Sequence, residues 1–197
     1  MTHIILATAS ELRKKLFRTL GLEFNAQASD VEEYFDGRPE GPEELVQHLA
    51  KLKAEAVASK HSTGIIIGFD SVGYFNGEIM EKPKDREEAY ERLKRLSGNS
   101  HEFYTGIHMI NLDNERNLTD KVRTEVWLRS LEDKEITMYL DQDKNFTKYA
   151  LGYDPIENYS ATFIKNLKGS YNNITRGFPV EKMMEMLFDI GYEPTIK

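Results

Sequence analysis

Cysteine is absent from the 197 residues. That excludes disulfides, thiolate nucleophiles and cysteine-ligated zinc, and it agrees with a reducing compartment. Long apolar runs are also missing, since no stretch approaches the roughly 20 residues that cross a bilayer. The opening MTHIILATASELRKK places its charges after a short apolar stretch, the reverse of a secretory leader. A cytoplasmic protein without membrane contact is therefore expected. Positive charge is in deficit: the formal net charge is −7, and an acidic chain lacks the broad basic face that neutralises many nucleic-acid phosphates. Nucleic acid is not an expected partner. A single small nucleotide is still compatible, because one triphosphate needs only a few local cations and a divalent metal. Neither GxxxxGK[ST] nor GxGxxG occurs, which removes the main support for Walker-type and Rossmann nucleotide sites. The five histidines, His3, His48, His61, His101 and His108, include no HxxxH ligand pair and read as structural or surface residues.

What is present is ordinary for a globular chain: 40% hydrophobic and 30% charged residues, enough to bury a core in one large domain or two closely packed lobes. Strand and helix signals alternate without a repeat or a Gly/Ser linker, which points to α/β architecture. Residues 3–7 read as a buried strand. Ser10 caps a helix carrying Leu12, Leu16, Phe17 and Leu20 that ends at Gly21. Pro42 opens a second helix with Leu45, Leu49, Leu52, Ala56 and Val57 as its apolar stripe, and Asp85 caps a third that ends near Leu96. Residues 102–112 and 121–128 form a long hairpin through Asp113 and Asn114, followed by a short helix over 131–140. A loop-rich stretch through Gly152 and Pro155 precedes a last helix from Pro179 to Gly191.

Two places carry chemistry. In GIIIGFDSVGYFNGEIMEKP (64–83), a β-branched run delivers Asp70 at its end, and Asn76-Gly77 supplies the positive φ values of a type I′ turn that folds Lys82 back toward it. A strand-end carboxylate with a returning lysine suits a metal ligand or base beside an anionic substrate. Taken alone, Asp70 reads rather as a turn cap and Lys82 as a surface lysine, so other segments must decide. At the first strand-to-helix junction, the helix N-terminus and Arg13 in its first turn make a candidate phosphate cradle. A capped amphipathic helix with an exposed arginine fits the same residues.

The ordered segments LATASELRKKLF (6–17), SDVEE (29–33), LAKLKAEAV (49–57), GFDSV (68–72), EKP (81–83), LSGNSHEFYTG (97–106) and IENYSATF (156–163), closed by GSYNNITRGFP, resemble the Maf-like nucleotide pyrophosphatases over nearly the whole length. The resemblance implies a single Maf-like domain over 1–197, related to inosine-triphosphate pyrophosphatases. Its fold would be α/β, a mixed twisted sheet with flanking helices in two closely packed lobes around a central cleft. It also implies hydrolysis of a nucleoside triphosphate to the monophosphate and pyrophosphate with a divalent metal (Mg²⁺, Mn²⁺ or Co²⁺), and a homodimer. Arg13, Glu33, Lys53, Asp70 and Lys82 occupy family motif positions, with Ser10 in the first motif. Chemistry explains the types: Arg13, Lys53 and Lys82 neutralise the triphosphate, while Glu33 and Asp70 offer hard oxygens to the metal and one of them activates water. The family's proton acceptor falls on Asp70.

Three departures concern the base. The common pattern has Arg where this chain has Leu12, Thr where it has Ser71, and Gln where it has Glu157. Family members that prefer dTTP and UTP carry Arg, Thr and Gln there, and the branch associated with 7-methylguanosine triphosphate lacks the Arg and has Glu. An ionised Glu157 accepts from the N1–H and exocyclic amine of a guanine and opposes the acceptor oxygens of thymine or uracil, so the sequence leans to a purine or modified base. A dTTP/UTP pyrophosphatase and a nucleotide-binding regulator of septum formation are the competing readings. A metal-dependent phosphatase releasing orthophosphate is a third.

Overall fold

Each turn of the first βα unit follows from its residues. In the computed structural model, which describes residues 3–194, β1 (Ile4–Ala7) is buried along its whole length and runs into Ser10, whose hydroxyl accepts from the Arg13 amide and starts α1 (Glu11–Thr19). Gly21, at φ +70°, ends that turn in the left-handed conformation that costs glycine nothing. The chain returns as the four-residue strand β2 (Phe24–Gln27), and after an irregular segment Pro42 takes the first position of α2 (Pro42–Ala58). Then come β3 (Ile65–Phe75), β4 (Glu78–Met80), α3 (Arg86–Leu96), β5 (Ser100–Asn111), β6 (Arg116–Leu128) and α4 (Asp133–Gln142). The chain closes with β7 (Ile164–Lys168), α5 (Tyr171–Arg176) and α6 (Val180–Asp189).

The strands join as one mixed seven-stranded sheet in the order β2-β1-β3-β5-β6-β7, with β4 paired to β3. β1 is parallel to both β2 and β3, whereas β4 lies antiparallel to β3 and β7 to β6. The Asn76-Gly77 turn has φ of 50° and 86°, the signature expected for its hairpin. The mixed α/β class read from the sequence holds. By contacts the chain divides into two compact units: residues 1–70, 105–122 and 176–197, and residues 71–104 and 123–175.

In the first unit the parallel strands are covered on both faces, which is why β1 and β3 read as continuous apolar runs rather than alternating ones. Ile4, Leu6, Ile65, Ile67 and Phe69 pack with Phe17 of α1 and with Phe178, Met183 and Leu187. Ile5, Ala7 and Ile66 face the other way, onto Ala54 and Val57 of α2. Two glycines set how closely α2 approaches. A Cβ on Gly68 would lie 2.1 Å from the Ala50 carbonyl oxygen, and one on Gly106 would lie 2.2 Å from that of Val46.

The core of the second unit is aromatic and helical: Ala89, Leu93 and Leu96 of α3 and Ile136, Tyr139 and Leu140 of α4 close over Phe75, Phe103, Val126 and Phe163. Asp85 caps α3 through the Glu88 amide, and a capping box between Glu132 and Glu135 starts α4 at Asp133, two residues later than the apolar pattern suggests. His101 is buried in this unit with Nε2 3.1 Å from the Tyr153 hydroxyl, while its Nδ1 has no hydrogen-bond partner. Burial pushes its pKa down to about 4. The folded state thus keeps His101 neutral while the unfolded chain protonates near 6.5, so stability rises with pH between about 4 and 6.5 and is fully present above. At pH 5 this group is expected to have removed about 2 kcal/mol, at 1.36 kcal/mol per unit. Urea titrations from pH 4 to 8 check this, with His101→Phe flattening the acid limb. An unchanged limb in that variant places the acid sensitivity elsewhere.

Candidate active site

Asp70 stands where β3 leaves the first unit. Seven consecutive residues, 64–70, are buried, so the strand carries the carboxylate into an environment that disfavours its charge. Burial raises its pKa, and Lys53 opposes that shift by attraction and by hydrogen bonding. Lys53 lies on α2 one helical turn after Leu49 and Ala50, so the stripe that seats the helix on the sheet also aims this side chain at the strand end. Its Nζ stands 2.5 Å from Asp70 Oδ1. The same ammonium is 2.6 Å from Glu33 Oε1. Glu33 arrives on the irregular segment between β2 and α2, which Phe35 anchors by stacking on His48 of α2, ring centroids 5.2 Å apart. One ammonium therefore holds two carboxylates from different parts of the chain.

Arg13 completes this group in a manner the sequence did not foretell. Its Nε donates to the Gly177 carbonyl at 2.9 Å and its Nη1 to the Phe69 carbonyl at 3.2 Å, while the guanidinium lies 5.5 Å from the centre of the Phe69 ring. Two of the N–H groups expected to face an anion are engaged with backbone. Burial lowers its pKa, and Asp70 and Glu33 pull it back up, which puts the arginine within electrostatic reach of both acids. Ser10 serves as cap of the same helix, and half-buried Leu12 sits beside Arg13 in its first turn.

The structure thus brings together Arg13, Glu33, Lys53 and Asp70 within the first unit. Ser71, Lys82 and Glu157 belong to the second. Lys82 is exposed just past β4. Arg92 of α3, itself buried, donates to the carbonyls of Glu81 and Ala150 and pairs with Glu88 at 2.7 Å, fixing the segment that precedes Lys82. Glu157 is exposed on a loop whose shape is set by buried Asp154: its Oδ1 accepts from the Ile156 amide at 2.7 Å and the Glu157 amide at 3.2 Å. The next residue, Asn158, holds φ 62° and ψ −171°, a conformation that strains any residue but glycine. Asp154-Pro155 was the one sequence signal for this Asx turn.

A hard divalent cation suits the donor set. No cluster of three or more histidine, cysteine or acidic ligands occurs among the described residues, but one or two carboxylates completed by substrate phosphates is the usual way Mg²⁺ is held. Asp70 and Glu33, gathered by one positive charge, would supply such a pair. Residues 3–190 match the family described as Maf-like protein. The chain belongs to the Maf-like family. Among its relatives, a protein of Ruminiclostridium cellulolyticum named dTTP/UTP pyrophosphatase is 37% identical, covering 95% of each chain. One of Geotalea uraniireducens with the same name is 38% identical over 96% of each. The fold of this Maf-like protein is also that of the solved Staphylococcus aureus Ham1 protein, at a TM-score of 0.53 with 17% identity, over 95% of this chain and 98% of that one.

Proposed function

We infer that this Maf-like protein is a nucleoside triphosphate pyrophosphatase, releasing a nucleoside monophosphate and pyrophosphate. The observation that carries the reading is the Asp70–Lys53–Glu33 group, in which a buried carboxylate is kept beside a cation at a strand end. The relatives named pyrophosphatases support it. Asp70 accepts a proton from the water that attacks the α-phosphorus, and burial suits it to that role by moving its pKa upward toward working pH. Lys53 and Arg13 offset the charge of the triphosphate and of the pyrophosphate that leaves. Glu33 and Asp70 would hold a divalent metal, Mg²⁺, Mn²⁺ or Co²⁺, whose contribution when bound is to polarise phosphoryl oxygens and lower the pKa of water. A binding protein that merely regulates septum formation has no use for a water-activating carboxylate, so the acidic pair favours the enzyme. A homodimer belongs to the same proposal and is checked by mass in solution.

Two readings of the base make opposite predictions. The relatives' names support dTTP and UTP. Against them stand Glu157, an exposed acidic side chain on a loop braced by Asp154, and an aliphatic Leu12 where arginine is common; together these favour a purine or modified base. Incubating the protein with dTTP, UTP, GTP, ITP and 7-methyl-GTP under each metal, with pyrophosphate, orthophosphate and monophosphate measured separately, tests reaction and base together. Orthophosphate as the first product would overturn the pyrophosphatase reading. If Glu157 reads the base, Glu157→Gln gains dTTP or UTP hydrolysis relative to GTP or 7-methyl-GTP by roughly 10-fold to 100-fold in kcat/KM, the worth of one well-placed hydrogen bond of about 1–3 kcal/mol. An unchanged ratio removes Glu157 from base selection and leaves the pyrophosphatase reading standing.

A further inference from the structure

We propose that Lys53 is a tethered counter-ion that a divalent metal must displace, so that metal and triphosphate bind this protein cooperatively. The inference rests on the two-carboxylate metal site proposed above and adds the behaviour of a residue that does not ligate metal. Lys53 Nζ lies 2.5 Å from Asp70 Oδ1 and 2.6 Å from Glu33 Oε1, with 14% of the lysine side chain and 10% of the aspartate side chain exposed. A divalent ion held by both acids would compete with this ammonium for the same carboxylate oxygens. Two cations do not share those oxygens: their mutual repulsion offsets the attraction each has for the acids, most strongly on the side of buried Asp70, since the Glu33 side chain is 43% exposed. Either the ammonium pairs with the carboxylates or a metal would take its place.

The displaced lysine needs a new anion. Its four-carbon stem is flexible and its charge compact, so it can leave the acids without α2 moving, provided another negative group receives it. A triphosphate is such a group, and the proposed reaction brings it there. In the free protein Lys53 therefore competes with metal, whereas with a triphosphate bound it has somewhere else to go. Metal affinity rises with nucleotide, and by linkage nucleotide affinity rises with metal by the same factor. Coupling of this kind is commonly 5-fold to 150-fold.

The test is Mn²⁺ binding to the full chain, followed by the electron spin resonance of free Mn²⁺, with no nucleotide present. Lys53→Met removes the competing charge and is expected to bind Mn²⁺ at least ~10-fold tighter than wild type. Lys53→Gln, which keeps a hydrogen-bond donor for the acids without the charge, is expected to do the same and serves should the methionine variant fold poorly. The gain must vanish in Lys53→Gln combined with Asp70→Asn. A purely structural role for Lys53 predicts weaker binding in both single variants, because the carboxylates would lose their organiser, and that result overturns the proposal. If wild type requires metal for turnover yet neither variant binds Mn²⁺ more tightly, this inference alone fails. If wild type turns over fully in EDTA, the two-carboxylate metal site fails and this inference with it.

Discussion

Asp70→Asn is expected to lower turnover by at least ~10²-fold while keeping the fold and most of the nucleotide affinity. Asparagine is nearly isosteric with aspartate and retains an oxygen for Lys53, so the contact at 2.5 Å has a neutral replacement and Lys53 keeps Glu33 at 2.6 Å. What the substitution removes is the charge and the proton-accepting oxygen. Burial already disfavours the ionised form of Asp70, so its neutralisation costs the folded state little, and the loss should appear in kcat rather than in the melting temperature. Pyrophosphate release under saturating nucleotide, calorimetric binding and a thermal melt separate the three quantities. Wild-type turnover would sink the assignment, and a collapse of the melting temperature would recast Asp70 as a structural group.

Gly106→Ala is expected to destabilise the chain by about 3 kcal/mol or more, near the upper end for overpacking, because the atoms it meets cannot rotate away. The new Cβ would come within 2.2 Å of the Val46 carbonyl oxygen and 2.7 Å of the Gln47 amide nitrogen, both backbone of α2. Relief requires the helix to shift, and the helix holds Lys53. For a chain of this size that energy corresponds to a fall in melting temperature of roughly 6–12 °C. Activity at temperatures where the variant remains folded should also drop, since an outward shift of α2 carries the ammonium away from Asp70. A variant that melts like wild type would mean that α2 is seated less firmly than these distances state.

Several elements were legible because their signals are local. Ser10 and Asp85 cap the helices they were expected to cap, Pro42 opens α2, and Asn76-Gly77 makes its turn, each through the residue's own backbone preference. The strands β2 and β7 were not foreseen. β2 lies at the sheet's edge with Asn25 and Ala26 exposed, and β7 reads Ile-Lys-Asn-Leu-Lys with only two partly buried apolar residues, so neither carries an apolar pattern of its own. Asp70 was visible because a β-branched run must end somewhere and an acid at that end is conspicuous. Its partners were visible only through family motifs: Glu33 lies in an irregular acidic stretch and Lys53 on what looks like the polar side of a helix. The spacing of Gly68 and Gly106 from α2 had no sequence signal at all, since a glycine in a strand looks like a weakness until the helix across it is known.

Arg92 grips the carbonyls of Glu81 and Ala150 rather than their side chains. Every amino acid supplies a carbonyl, so the grip is blind to the identity of both residues and of their neighbours. Substitutions after Ala150, such as Glu157→Gln or Asn158→Gly, are therefore expected to leave the hold on the segment before Lys82 intact. On the expectation that Glu157 faces the base and Lys82 the phosphates, the side chain at 157 can then be changed without loosening the segment that leads to Lys82.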